Sequence, residues 1–411
     1  MERQAQSSIA ANVDLTIPDS DPIETTHLWS IIKMPQDSET VPGDPTTEPE
    51  KKTRRKTTIA DPTTADPTTA DPTTAISTTT KSAKIDDVDF EFTVLAPRGV
   101  KILGNPHLLE YELPFEHFET KGVPPSGKAA FYQALHHDTK MEVFLDGGLE
   151  FAERVAIEYR TADSWQLNER RFGNLAIQYF LRQEVMDMDR KKTGRFLAER
   201  RGEESIQPNP DTSWEAFPVL AEDSNTKRYD FALFPDAHYW LSVQAFSSNW
   251  TSVAHNYAHI SGRRSTSPYL TVEYKRDTRN SGLREAVNQM TCAAILGQYN
   301  RWRLRSRVMK IRENISWTEE DGKAIRQYGL ILAGAQAEVW VAEAQVTKTG
   351  EWMGSRVRRL WDGELKGIDD IDHLVNWINE IHHWGLGVHA EEVRKDVQML
   401  GQNSRRKVPE F

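Results

Sequence analysis

The predicted architecture follows from one run of residues, Tyr269-Leu-Thr-Val-Glu-Tyr-Lys275. Side chains alternate between the two faces of a β-strand. One face of this stretch is therefore apolar and consists of Leu270, Val272 and Tyr274. The other face carries Thr271, Glu273 and Lys275. The alternation predicts a strand that packs against a core on one side and presents a carboxylate and an ammonium group together on the other.

A second acid lies in an apolar run upstream. The run Arg228-Tyr-Asp-Phe-Ala-Leu-Phe234 predicts another strand, with Asp230 near its start. Pro235-Asp236 is an alternative source of this acid and lies closer in sequence to Glu273. It would follow the predicted strand instead of opening it, so we favour Asp230. The intervening segment, rich in Ser, Asn, His and Trp, is expected to loop out.

The spacing of apolar residues predicts the surrounding elements. Helices are expected over residues 149–159 and 168–187. A long helix after Lys275 is predicted by Leu283, Ala286, Val287, Met290, Ala294 and Gly297. The runs 327–333 and 338–342 predict a hairpin around Gly334-Ala335. A late amphipathic helix is predicted by Ile371, Leu374, Val375, Ile378 and Ile381.

An Asp, a gap and then Glu-x-Lys at the end of a neighbouring strand resemble the PD-(D/E)xK nuclease superfamily. The following helix with Gln289 fits the same pattern. The order of helix, strand pair, helix and hairpin is also similar to nuclease-like domains of uncharacterised fungal proteins. The resemblance implies an α/β fold with a restriction-endonuclease-like core, in which helices flank a mixed central sheet.

The resemblance also implies a chemistry and its residues. Asp230, Glu273 and the backbone carbonyl of Tyr274 would hold Mg²⁺ or Mn²⁺, since hard divalent cations prefer oxygen ligands. The cation would polarise a phosphodiester and activate water, which Lys275 would orient or help to deprotonate. Gln289 would join the catalytic group. A further acid from an earlier helix is expected to be Glu169, with Glu184 as the alternative.

Clusters of arginine suggest where a nucleic acid would bind. Arg263 and Arg264, just before the Glu-x-Lys strand, could clamp a phosphate or form a loop tip. The run Asn300-Arg-Trp-Arg-Leu-Arg alternates Arg301, Arg303 and Arg305 with apolar residues, which suits phosphate contacts and base stacking. The alternative interpretation of this run is the end of a helix or strand with a solvated basic face and a buried Trp302.

Charge and composition limit the function classes. The net charge of −10 argues against a protein that coats nucleic acid nonspecifically, so any such contact must be local. Cys292 is the only cysteine, which excludes an intramolecular disulfide and a thiolate zinc cluster. No apolar run is long enough to span a bilayer, so no membrane partner is expected.

The sequence divides into three predicted regions. Residues 1–85 are expected to be a disordered arm, since Ala-Asp-Pro-Thr-Thr occurs three times in tandem over residues 60–74. The cluster Lys51-Lys-Thr-Arg-Arg-Lys56 suggests nuclear import, or else a solvated charge run. Residues 86–395 are expected to form the nuclease-like domain, and residues 396–411 a flexible basic tail.

The leading hypothesis is a metal-dependent nuclease that acts on DNA, with RNA as the less favoured substrate. The alternative is an inactive descendant of the same fold that binds nucleic acid or a protein partner. A structural or secreted-effector role unrelated to this fold is a third possibility. Oligomeric state is not determined by any of these sequence features.

Overall fold

A computed structural model describes residues 82–103, 113–118, 128–139, 141–184, 198–209, 213–243, 246, 254–262, 264–276, 280–312 and 316–406. The predicted arm, residues 1–85, lies outside the described residues except for 82–85. The basic cluster at residues 51–56 and the tandem repeats therefore stay sequence predictions.

Eight strands of the described chain form one mixed sheet. They are β1 (Val100–Leu103), β2 (Ala198–Arg201), β3 (Ala237–Ser242), β4 (Ile260–Ser261), β5 (Ser265–Lys275), β6 (Arg326–Ala333), β7 (Gln336–Val346) and β8 (Trp352–Glu364). The order is β1-β8-β7-β6-β5-β3-β2, and β4 pairs with β5. The β5–β6 and β1–β8 pairs are parallel and the others are antiparallel.

Helices flank this sheet. They are α1 (Pro114–His117), α2 (Lys128–Thr139), α3 (Leu149–Ser164), α4 (Glu169–Tyr179), α5 (Asn280–Ile311), α6 (Glu319–Lys323), α7 (Ile368–Trp384) and α8 (Ala390–Arg406). Short turns of π-helix and 3₁₀-helix span Glu91–Leu95, Ala96–Arg98 and Gly385–His389. The predicted α/β architecture with a mixed, helix-flanked sheet is confirmed. Among the described residues, no helix is long and apolar enough to cross a membrane.

Two apolar cores lie on the two faces of the sheet. Along β7, Val339 and Val341 belong to one core, and Trp340 and Ala342 belong to the other. The first core is filled mainly from α3, α4, α7 and α8. The second is filled mainly from α5 and from the segment that precedes β1. Both faces of β5 are therefore covered, which explains why its polar residues are buried.

Several predicted elements are confirmed. The Glu-x-Lys strand is the end of β5, and the long helix after it is α5. The hairpin of β6 and β7 turns at Gly334, whose φ of +58° favours glycine. The late amphipathic helix is α7. The helix predicted over residues 168–187 is shorter and ends at Tyr179.

The strand predicted over residues 228–234 is wrong. Phe231 has a φ of +50°, which an extended strand does not permit. Its ring packs at 4.6 Å from that of Phe217 and at 4.9 Å from that of Tyr229. The apolar residues of this run fill a core from a loop, and the strand begins only at Ala237. Asp236 therefore opens β3.

The predicted boundary at residue 396 is also wrong. Helix α8 runs through it to Arg406, and Asp396, Val397 and Leu400 are buried. Val397 and Leu400 lie on one face of the helix and join the first core, so this segment packs as part of the domain.

Candidate active site

The pairing of β3 with β5 brings two acids together. Ala237 pairs with Val272 in an antiparallel register, so Asp236 lies beside Glu273. The Asp236 Oδ2 atom accepts a hydrogen bond of 2.6 Å from the Tyr274 amide. The Asp236 and Glu273 side chains also share a hydrogen bond. Two carboxyls distant in sequence thus meet at the end of one strand pair.

Burial strongly affects the ionisation of this pair. Glu273 is only 2% exposed, and burial raises the pKa of its carboxyl well above the ordinary value. The neighbouring Asp236 raises the pKa of Glu273 further, whereas Lys275 opposes the shift. Burial also raises the pKa of Asp236, although the hydrogen bond from the Tyr274 amide opposes it. The two carboxyls are therefore most stable when they share a proton or an equivalent positive charge.

Lys275 follows Glu273 by two positions on β5 and therefore extends from the same face of the strand. Its charge opposes the rise in the pKa of both acids. The Lys275 Nζ atom lies 3.5 Å from Glu285 Oε1 on α5. Gln289 lies one helical turn beyond Glu285, and its Oε1 atom is buried without a hydrogen-bond partner. The face of α5 that holds the lysine therefore also carries an unsatisfied amide oxygen.

Glu169 joins the same end of the sheet. It is the first residue of α4, and its Oε2 atom accepts a hydrogen bond of 3.0 Å from the Arg276 amide. Its charge raises the pKa of Asp236, so the two side chains are close enough to interact. The alternative acid, Glu184, instead accepts a hydrogen bond of 3.1 Å from the Val143 amide. The structure therefore brings Glu169, not Glu184, towards the acid pair.

Asp230 does not occupy the predicted position. Its side chain is 60% exposed and pairs with Arg228 at 3.2 Å. The charged groups that shift the pKa of Glu273 are Asp236, Lys275 and Glu285. The expectation that Asp230 meets Glu273 is corrected, because the loop conformation at Phe231 places Asp230 before the strand and at the surface. The adjacent Pro235-Asp236 and its shorter gap to Glu273 were the sequence signal for the correct acid.

The site has fewer acidic side chains than are needed to surround a metal ion. In the part of the chain that the structure describes, no group of three or more His, Cys, Asp or Glu side chains is placed to hold a metal ion. Asp236 and Glu273 form a two-carboxyl pair, and Glu169 stands beside Asp236. The predicted carbonyl ligand, that of Tyr274, belongs to the residue whose amide binds Asp236.

The predicted substrate-binding arginines of α5 have internal partners. Arg301 is buried, and its Nη1 atom lies 2.6 Å from Asp396 Oδ2. Arg305 binds Asp321 at 2.8 Å and Asp396 at 2.9 Å.

Arg303 pairs with Glu215 and donates a hydrogen bond of 3.0 Å to the Ser213 carbonyl. The predicted role of Arg301, Arg303 and Arg305 in substrate binding is corrected, because these ion pairs fasten α5 to its neighbours. The residues lie within the helix and not at a strand end.

Arg263 and Arg264, in the loop before β5, are the other arginines predicted to bind substrate. Arg264 pairs with Glu199, a buried acid of β2. Arg263 lies outside the described residues. Arg276 and Arg284 are exposed arginines adjacent in sequence to Lys275 and Glu285, and the sequence interpretation did not include them.

The arrangement places a buried carboxyl, a half-buried carboxyl and one ammonium group on or directly beside strands that lie between the two apolar cores. It can bind a positive charge at the carboxyls and a negative charge near Lys275. Comparisons of the chain with protein-family models, with curated proteins and with solved structures find no match.

Proposed function

We propose that this chain is a Mg²⁺- or Mn²⁺-dependent nuclease with a restriction-endonuclease-like core, acting through Asp236, Glu273 and Lys275. The observation that carries the proposal is the pairing of the buried Glu273 carboxyl with the half-buried Asp236 carboxyl, with Lys275 on the same strand face as Glu273. Holding two acids together with little access to water is costly unless a positive charge compensates them. A stability argument alone does not explain such a pair, and a role in function does.

The side chains present fit a hard divalent cation. Asp236 and Glu273 offer carboxylate oxygens, and Mg²⁺ in proteins often takes one or two carboxylates and keeps several waters. The cation's charge would replace the proton that the two carboxyls share. Glu169, whose charge acts on Asp236, would contribute a third carboxylate through a bridging water and not as a direct ligand.

The chain's own groups then have separate roles. A bound cation would polarise the phosphate and increase the acidity of the attacking water. Lys275 would orient that water and stabilise negative charge that develops on the phosphate. Glu285 would restrain the ammonium group, which it contacts at 3.5 Å. The buried Oε1 atom of Gln289 would accept a hydrogen bond from a water enclosed between α5 and the site.

The proposed substrate is nucleic acid, with DNA preferred over RNA. Since the chain carries a net charge of −10, binding must depend on local positive charge. Arg276 and Arg284, both exposed and adjacent in sequence to site residues, are the arginines proposed to contact phosphates. They replace the internally paired arginines of α5 in this role.

The test is a cleavage assay with the purified full-length chain. Single- and double-stranded DNA and RNA are incubated with Mg²⁺, Mn²⁺ or EDTA. Cleavage is expected only with a metal ion, and Lys275→Met is expected to reduce it at least about 100-fold. Lys395→Met is the matched control, because Lys395 is an exposed lysine on α8.

Absence of cleavage by the wild-type chain in every condition would refute the enzymatic proposal. A binding module is then the remaining interpretation of this fold, and it predicts a mobility shift of nucleic acid that Lys275→Met weakens. Equal cleavage by wild type and by Lys275→Met would refute the proposed site and would indicate that the active site lies elsewhere on the chain.

A further inference from the structure

A groove lined by aromatic rings lies near the C-terminal part of α5. Its rings are those of Tyr299 and Trp302 on α5, Trp317 just before α6, and Trp352 at the start of β8. We call it the aromatic groove. It encloses an empty volume of about 1110 Å³, including the solvent in its open mouth. This is enough room for an extended peptide or a ligand of several rings.

The walls of the aromatic groove are already packed in place. The Tyr299 and Trp302 rings stack with centroids 5.3 Å apart, and Trp352 meets Tyr299 edge-on at 5.2 Å. The Trp302 indole donates a hydrogen bond of 3.2 Å to the Gly350 carbonyl. A side chain at residue 350 would collide with the Trp317 indole. A ligand would therefore meet a preformed surface and would lose little free energy to ordering of the protein.

The lining of the aromatic groove carries one positive and one negative side chain, and its rings favour a ligand that also presents rings. Lys310 and Glu351 are its charged side chains, and their charges offset each other. A phosphate polymer needs an excess of cations, which this lining does not provide. Aromatic grooves bind proline-rich segments, whose rings stack on Trp and Tyr and whose carbonyls stay free to accept hydrogen bonds.

The sequence of this protein contains such a segment. Ala-Asp-Pro-Thr-Thr occurs three times over residues 60–74, which places Pro62, Pro67 and Pro72 five residues apart. Each proline follows an aspartate, which could pair weakly with the exposed Lys310. We propose that the aromatic groove binds the chain's own Ala-Asp-Pro-Thr-Thr repeats. This inference does not depend on the proposed nuclease activity.

The connecting chain is long enough for this contact. Ile85 is fixed near the first half of α5, because its carbonyl accepts a hydrogen bond of 2.9 Å from Asn288. Trp302 lies about 21 Å further along the helix at roughly 1.5 Å per residue. Thr74 and Ser82 can be separated by about 26 Å in extended chain. The repeats can therefore reach the groove without any change in the domain.

Covalent connection makes a weak contact sufficient. A segment tethered by a short linker has an effective concentration of the order of millimolar at its site. Three equivalent repeats provide three alternative registers for binding. Occupation of the groove would thus be expected even if a separate peptide with this sequence bound poorly.

Disulfide trapping in the full-length chain tests this proposal. Thr69→Cys is placed in the second repeat and combined with Thr349→Cys, an exposed position on the groove. The control pair is Thr69→Cys with Phe234→Cys. Phe234 is exposed and lies six positions beyond Arg228, whose carbonyl binds the Ala83 amide at 2.9 Å. The native Cys292 is buried and stays in place.

An unattached arm would reach the control position at least as easily as the groove. Docking instead predicts that the effective concentration for the Thr349→Cys pair, measured against glutathione, exceeds that of the control at least about 10-fold. Replacing the three prolines by alanine should remove this excess. Equal values for the two pairs, or an excess that survives the proline replacements, would overturn the proposal. So would disulfides that form between molecules and not within one.

Discussion

Asp236 lies beside Glu273 across the antiparallel pair of β3 and β5, and their carboxyls are close enough to share a proton. Burial raises the pKa of both acids, and Asp236 raises that of Glu273 further. Glu273 lowers the pKa of Asp236 through the hydrogen bond, and the Lys275 charge lowers the pKa of both. The pair is therefore an unfavourable arrangement for the folded chain unless a positive charge is supplied. The electrostatic cost of this pair to the folded state distinguishes the site from an ordinary polar strand end.

The first prediction separates Asp236 from Asp230. Asp236→Asn removes one carboxylate of the Asp236–Glu273 pair, so metal-dependent cleavage should fall at least about 100-fold. Asp230→Asn changes an exposed acid that pairs with Arg228, so cleavage should stay within about 2-fold of wild type. Initial rates at saturating Mg²⁺ measure both. A large loss in Asp230→Asn with an active Asp236→Asn would restore the original assignment.

The second prediction concerns the stability cost of Glu273. Its folded-state pKa is raised above the ordinary value of 4.5, so the folded state binds a proton that the unfolded state releases above that pH. Stability is thus present below pH 4.5 and is lost as pH rises towards the folded-state pKa. Glu273→Gln should therefore stabilise the metal-free chain at pH 7 by about 1–2 kcal/mol.

Urea unfolding at two pH values measures this effect. The gain in unfolding free energy from Glu273→Gln should shrink near pH 4, where the wild-type carboxyl is protonated in the folded chain and mostly protonated in the unfolded chain. Addition of excess Mg²⁺ should stabilise wild type, by about 2.7 kcal/mol at one hundred times the dissociation constant, and leave Glu273→Gln unchanged. A variant less stable than wild type at pH 7 without metal would contradict the prediction.

The third prediction concerns acid unfolding. Burial lowers the pKa of His238, His382 and His389 from 6.5 to about 3. Below pH 6.5 the unfolded chain binds protons that the folded chain excludes, so stability is lost as pH falls from 6.5 towards 3. Each histidine should contribute roughly 1 kcal/mol per pH unit within this window.

A pair of variants on α7 tests the assignment. His382→Gln should weaken the pH dependence of unfolding between pH 6.5 and pH 5, because one titrating group is removed. The glutamine can keep the contact of 2.9 Å that Tyr269 makes with His382 Nδ1. His373→Gln, at an exposed position of the same helix, should leave the slope unchanged. Identical slopes for wild type and His382→Gln would reject this account.

The fourth prediction tests the arginines of α5 as structural groups. Arg301 and Asp396 form a buried ion pair, with side chains 2% and 1% exposed. Arg301→Met leaves the aspartate with Arg305 alone, so unfolding free energy should fall by about 3 kcal/mol. Arg303→Met disrupts a pair whose acid is half exposed and should cost less than about 1 kcal/mol. Similar losses for the two variants in urea would argue against a buried pair.

Local patterns predicted much of the fold. Period-two alternation identified β5, and apolar spacing identified α5 and α7, because each pattern reflects which face of one element is buried. Gly334-Ala335 identified the β6–β7 hairpin, since a tight turn needs a residue that tolerates positive φ. Glu273 and Lys275 were placed on one face by the same alternation.

Long-range packing decided what these patterns could not. The run at residues 228–234 is apolar like a strand, but its rings fill a core from a loop, and this moved the strand start to Ala237. The ion pairs of Arg301 and Arg305 depend on Asp396, an acid on the last helix. A run of arginines has the same appearance in sequence whether its partners are phosphates or buried acids.

The period of each element, the shared face of Glu273 and Lys275 and the acidic balance of the chain can all be read from the order of residues. Packing between distant segments sets which aspartate meets Glu273 and which arginines of α5 have buried acidic partners. Periodicity depends on the geometry of one strand or helix, whereas a carboxyl pair or an ion pair depends on the register between segments distant in the chain.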